Sequence, residues 1–79
     1  MTSPVDIEVG RRIREARREA GFRSPESFSA VLGIAVATLQ RWESGKTSVT
    51  LPKLQRVAQA TGKPVEFFVG KAPETEQAA

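Results

Sequence analysis

General acid–base catalysis near neutral pH, an activated thiol or a soft-metal site would call on His or Cys, and this sequence contains neither. Its nine carboxylates are scattered, with no glycine-rich phosphate loop beside any of them. These residue types argue against an enzyme, a metal site and a bound cofactor. They do allow recognition by charge and hydrogen bonding. Positions 10–56 hold ten Lys/Arg (Arg11, Arg12, Arg14, Arg17, Arg18, Arg23, Arg41, Lys46, Lys53, Arg56) against four acids (Glu15, Glu19, Glu26, Glu43), while the whole chain carries only +3. A basic middle of this kind suits a polyanion. A second reading stands beside it: Arg11, Arg12, Arg14 and Arg18 form a solvated helix face paired with Glu15 and Glu19 at helical spacing.

The elements that must position these groups are short helices. In 6–20, Val9, Ile13, Ala16 and Ala20 fall three or four apart, with Asp6 and Glu8 in the first turn and Gly21 behind. Ser24-Pro25-Glu26 reads as an N-cap, a first-turn proline and an acid opening a helix over 25–32, with Phe28, Val31 and Leu32 on one face and Gly33 ending it. After a very short turn, 36–44 forms a third helix stopped by Gly45. Thr50 caps a fourth over 51–61, whose core stripe is Leu51, Leu54, Val57 and Ala58. Pro64 opens a fifth over 65–69.

Seventy-nine residues suffice for one core. The expected organisation is a single all-α domain over 1–70 and a flexible tail over 71–79, which has too little apolar content to pack. No apolar run approaches the roughly 20 residues of a membrane span, and the start MTSPVDIEVG has neither a basic leader nor an apolar segment. With no cysteine, the expected compartment is the cytoplasm, without membrane association.

Two short helices joined by a tight Gly-containing turn, the second rich in small and polar positions, form the pattern of a helix-turn-helix. Several marks recur in order at family spacing. They are Val9-Gly10, Ile13 and Arg17, then Phe28, Leu32-Gly33-Ile34, Thr38-Leu39 and Arg41-Trp42-Glu43-Ser44-Gly45-Lys46, then Leu54, Val57-Ala58, Val65 and Phe68. By these marks Val9 to Val69 resembles the phage-repressor and Cro-like helix-turn-helix family, also called XRE. The resemblance implies a compact five-helix lambda-repressor-like domain that binds double-stranded DNA as a regulator of transcription, typically a homodimeric repressor.

It implies that the third helix enters the major groove, with Val36, Ala37, Thr38, Gln40 and Arg41 facing base edges. Ser24, Pro25, Ser44, Lys46, Thr47 and Ser48 are placed against phosphates, with ordinary capping and turn chemistry an equal reading for Ser24 and Ser48. It also implies a structural ion pair between Arg17 and Glu43. The sequence departs from the family at Val36 and Ala37, where relatives carry polar residues, at Ala35 in place of a Ser/Thr cap, and at Pro25 where Gln is common. Two readings of the third helix follow. Val36 and Ala37 contact thymine methyl groups while Arg41 reads guanine, or the surface binds protein, as in an antitoxin that caps a toxin partner. Trp42 is placed in the core rather than in base stacking. Phe67 and Val69 are the candidates for a dimer interface, with Phe67 alternatively covering the first helix inside the monomer.

Overall fold

The computed structural model describes residues 3–69, and each regular element among them is an α-helix. Helix α1 is Pro4–Glu19, α2 Pro25–Leu32, α3 Val36–Ser44, α4 Leu51–Thr61 and α5 Val65–Val69. The five-helix, all-α architecture expected from the periodicity is the one observed. The expected tail over 71–79, and the end of the 1–70 domain at residue 70, lie outside the described residues.

Helix α1 starts earlier than its apolar spacing suggests because Ser3 is its N-cap. The Ser3 Oγ accepts from the Asp6 N–H at 3.1 Å, and Pro4 fills a first-turn position where no N–H is needed. The Ser-Pro device recurs at α2, where the Ser24 Oγ accepts from the Ser27 N–H at 3.2 Å. Thr50 departs from expectation: it is the N-cap residue of α4 but makes no side-chain capping bond. Pro52 stands at the second helical position and removes one of the two N–H groups such a cap would serve.

Ile13 and Ala16 of α1, Phe28 of α2, Leu39 of α3, Val57 of α4 and Phe68 of α5 meet in the core with no accessible surface. Val31 and Leu51, both expected on core stripes, are instead exposed, at 54% and 57%. The buried edge of α2 is centred on Phe28, Ser29 and Leu32, which leaves Val31 on its far rim. Leu51 shares its stripe by angle but stands at the first position of α4, a full turn before the covered segment.

Only Gly33, Ile34 and Ala35 separate α2 from α3. Gly33 takes φ of 73°, a left-handed conformation in which a Cβ is strained, and the Ile34 N–H closes back onto the Ser29 carbonyl at 3.1 Å. The turn thus ends α2 with the Ser29 and Ala30 carbonyls satisfied and redirects the chain at once.

Gly10 sits inside α1, where glycine costs about 1 kcal/mol relative to alanine. The crossing of α1 over α3 explains it. A Cβ at this position would lie 2.8 Å from the Glu43 carbonyl oxygen and closer still to that of Trp42, and both obstacles are backbone. Gly10→Ala is therefore expected to destabilise the fold by roughly 2–3 kcal/mol despite its gain in helix propensity. A circular-dichroism melt should show the midpoint falling by about 10 °C or more; an unchanged or raised midpoint would mean that the helices can separate at little cost.

Candidate nucleic-acid interface

The face that α3 presents is set by what it buries. Leu39, Trp42 and Glu43 turn inward at i, i+3 and i+4. The same periodicity puts Ala37, Gln40, Arg41 and Ser44 on the opposite, exposed stripe. Of the five residues expected to face bases, Ala37, Gln40 and Arg41 share this stripe, whereas Val36 and Thr38 are half-buried at its margins. Trp42 is 4% exposed and belongs to the core. Ala35 provides no side-chain cap, so no capping side chain stands between the first-turn N–H groups of α3 and a ligand.

Behind the stripe lies a buried ion pair. Arg17 Nε donates to Glu43 Oε2 at 2.7 Å and Nη2 to Oε1 at 3.4 Å, and both side chains are almost wholly buried. Arg17 Nη1 also donates to the Phe22 carbonyl at 2.8 Å, so one guanidinium ties α1 to α3 and to the loop leading to α2. A second arginine shares the carboxylate: Arg14 Nε lies 3.5 Å from Glu43 Oε1, with its side chain half exposed.

The other basic residues of the central segment divide between structure and surface. Arg11 and Arg12 both donate to Glu8, and those hydrogen bonds, Arg11's first, hold the Glu8 carboxyl below its usual range. Glu19 pairs with Lys63 at 2.6 Å. The α1 arginines therefore do not pair with Glu15 and Glu19 as sequence spacing suggested. Glu8 has a better approach to Arg11 and Arg12, and Glu19 is turned toward the α4–α5 loop. Arg56 Nη2 donates to the Leu32 carbonyl at 2.9 Å, satisfying an orphan acceptor at the end of α2.

Arg14, Ala37, Gln40, Arg41, Ser44 and Lys46 line one open concavity, whose charged lining groups are all cationic. The last five are among the residues that the family resemblance put on the expected DNA surface. The sequence reading put Arg14 on a solvated helix face instead, because nothing local says that α1 crosses α3 at this point.

The expected phosphate-contacting set is heterogeneous. Lys46 and Thr47 are exposed in the loop after α3, although the Lys46 N–H is already committed to the Arg41 carbonyl at 2.9 Å, leaving its ammonium as the available donor. The Ser44 Oγ donates to the Arg41 carbonyl at 3.2 Å. Pro25, Ser48 and Ser24 offer less. Pro25, half-buried at the start of α2, has no N–H and no side-chain donor to offer a phosphate. The Ser48 Oγ is engaged by the Asp6 carboxylate at 2.9 Å, which places a negative charge beside it. Ser24 commits its hydroxyl to capping α2.

Phe67 is half-buried against the core, with the Arg12 guanidinium 5.2 Å and the Lys63 ammonium 4.9 Å from its ring centre. It covers α1 within the monomer, the alternative that its position beside Phe68 allowed. Val69 is 48% exposed and lines a shallow, mostly apolar depression with Pro4, Val5, Glu8 and Val9.

A short helix held across a tight turn, with a polar and cationic stripe facing outward, defines a helix-turn-helix domain. Residues 13–68 match the Helix-turn-helix family, and the chain belongs to it, within the XRE type that the sequence resembles. An uncharacterized HTH-type transcriptional regulator of Sinorhizobium medicae (strain WSM419) is 39% identical over 71 residues, spanning 90% of this chain and 50% of that protein. The chain thus covers about half the length of the relatives it matches. The restriction-modification controller protein C.AhdI from Aeromonas hydrophila superposes with a TM-score of 0.71 at 24% identity, over 78% of this chain and 92% of that one. Hydroxypropylphosphonic acid epoxidase from S. wedmorenis superposes with a TM-score of 0.77 at 20% identity, over 89% of this chain but only 37% of the epoxidase. At these identities the likeness is one of fold.

The buried pair can be tested directly. Glu43→Ala leaves the Arg17 charge buried without its main partner and is expected to cost about 3 kcal/mol. In a cycle with Arg17→Met, the double variant should lose clearly less than the sum of the singles. Simple additivity in thermal or urea melts would show that the two groups are not coupled.

Proposed function

We propose that this chain is a sequence-specific DNA-binding transcriptional regulator that acts as a homodimeric repressor, with α3 lying in the major groove of double-stranded DNA. The observation that carries this reading is the exposed stripe of α3 and its extension through Lys46: small, amide, guanidinium and hydroxyl groups in a concavity whose charged lining is wholly cationic. Membership of the helix-turn-helix family supports a DNA-binding regulator over an enzyme. Relatives named as HTH-type transcriptional regulators support the same role. The epoxidase match reflects the fold, since it spans a minor part of that enzyme.

In this reading Ala37, with Val36 at the margin, meets thymine methyl groups, Gln40 suits adenine, and Arg41 forms a bidentate pair with guanine. Lys46 and Thr47 hold the flanking backbone. Two copies would pair so that their α3 helices reach successive major grooves about 34–36 Å apart. The mostly apolar depression at Val69, Val5 and Pro4 is the candidate contact between them. Phe67, half-buried against the core, has less surface to offer.

Arg41 and Lys46 are both basic yet should fail differently. On a duplex selected for binding, Arg41→Ala is expected to cost about 1–3 kcal/mol and to relax preference at one base pair. Lys46→Ala should weaken selected and random duplexes alike and lower the magnitude of the salt slope by about one. Fluorescence anisotropy at several salt concentrations reads both effects, after melts show that the variants are folded. Binding by the wild type that ignores salt, or no binding at low salt, would remove the DNA reading and favour a protein partner such as a toxin.

A further inference from the structure

Arg14 carries an inference that rests on the DNA reading and extends it. We propose that Arg14 of α1 is a backbone-phosphate contact, positioned by Glu43 at the edge of the surface that α3 presents.

Charge balance gives the first reason. One buried carboxylate, Glu43, is shared by two guanidiniums, so the cluster of Arg14, Arg17 and Glu43 keeps one unbalanced positive charge. Arg17 and Glu43 have side chains only 4% and 3% exposed, whereas that of Arg14 is 50% exposed. The excess charge is therefore presented at Arg14. The Arg14–Glu43 contact uses Nε at 3.5 Å, and its Nη groups have no hydrogen-bond partner among the described residues. Those groups form a planar donor fork suited to phosphate oxygens.

Position gives the second. Arg14 lines the same concavity as Arg41 and Lys46, so cations from α1, α3 and the following loop converge on one surface. Like charges gathered this way repel one another in the free protein, and an anion relieves the repulsion. Arg14 borders the concavity from α1, which packs against α3 at the backbone of Trp42 and Glu43, near the end of that helix. A recognition helix reads base edges with its N-terminal residues, so a cation beside its far end meets the flanking sugar-phosphate backbone. Arg14 would therefore add affinity without sequence preference. Glu43 then acts twice, bracing α1 against α3 and holding the Arg14 stem in place.

The test uses the full chain and a random-sequence duplex of about 30 base pairs, roughly three helical turns. Arg14→Ala removes one phosphate contact, so the slope of log K against log salt should become shallower by about 0.9, with affinity on the order of five- to tenfold weaker near 0.1 M salt. Arg14→Lys, which keeps the charge, should restore most of both. Arg18→Ala, equal in charge but outside the concavity, should leave the slope nearly unchanged. Arg17 still pairs with Glu43, so the thermal midpoint of Arg14→Ala should stay close to that of the wild type. The proposal is overturned if Arg14→Ala lowers the midpoint while leaving the slope intact, or if Arg18→Ala shifts the slope equally. In either case a wild type with a steep salt slope keeps the DNA reading in force. A wild type that does not bind duplex DNA would sink that reading and this proposal together.

Discussion

A carboxylate buried at the end of α3 must be matched by a cation on another element, and here that demand fixes the molecule. Glu43 has almost no access to water and is satisfied chiefly by Arg17, whose remaining donor reaches the Phe22 carbonyl. Removing either charge alone would leave the other stranded in a low-dielectric site, so α1, the end of α3 and the approach to α2 are held as one unit. Gly10 makes the same contact possible from the backbone side, because any side chain there would strike the carbonyls of Trp42 and Glu43. A polar constraint and a steric one thus define a single helix crossing.

The outward face of α3 follows from that crossing. With Leu39, Trp42 and Glu43 drawn inward, helical periodicity leaves Ala37, Gln40, Arg41 and Ser44 no direction but outward. The α2–α3 turn supplies the remaining rigidity through Gly33 and its closing hydrogen bond. Presentation of a stiff, polar helix face is what groove reading requires, since side chains that must be ordered on binding lose affinity to entropy.

The basic residues show how one residue type serves two ends. Arg17 and Arg56 are engaged in holding elements together, and Arg11 and Arg12 are tied to Glu8. Arg14, Arg41 and Lys46 are gathered where charged neighbours of opposite sign are either buried or absent from the lining. The central positive charge read from composition is therefore larger than the charge available to a polyanion, and less localised.

Much of this was legible in the sequence. Spacing of apolar residues, the Ser24-Pro25 start and glycine stops marked out the helices, because caps and periodicity are local properties of backbone and side chain. The ordered marks from Val9-Gly10 to Phe68 pointed to the helix-turn-helix family, and that resemblance, not local periodicity, singled out the outward residues of α3, with Val36 and Thr38 included although they lie half-buried at its margins. Tertiary structure decided what depends on elements distant in the chain. Val31 and Leu51 looked like core by pattern but lie where no neighbour covers them, since a helix has no way to encode which part of its stripe will be roofed. Ser48 could be read as a phosphate donor or as turn chemistry, and only the fold brought Asp6, 42 positions away, to its hydroxyl. Arg14 looked like one member of a solvated arginine face, and only the crossing of α1 over α3 set it beside Arg41 and Lys46. The sequence by itself determined which helices form and which side of each is apolar. The packing of those helices decided which charges are paired inside the molecule and which remain for a partner, because that division rests on distances between residues far apart along the chain.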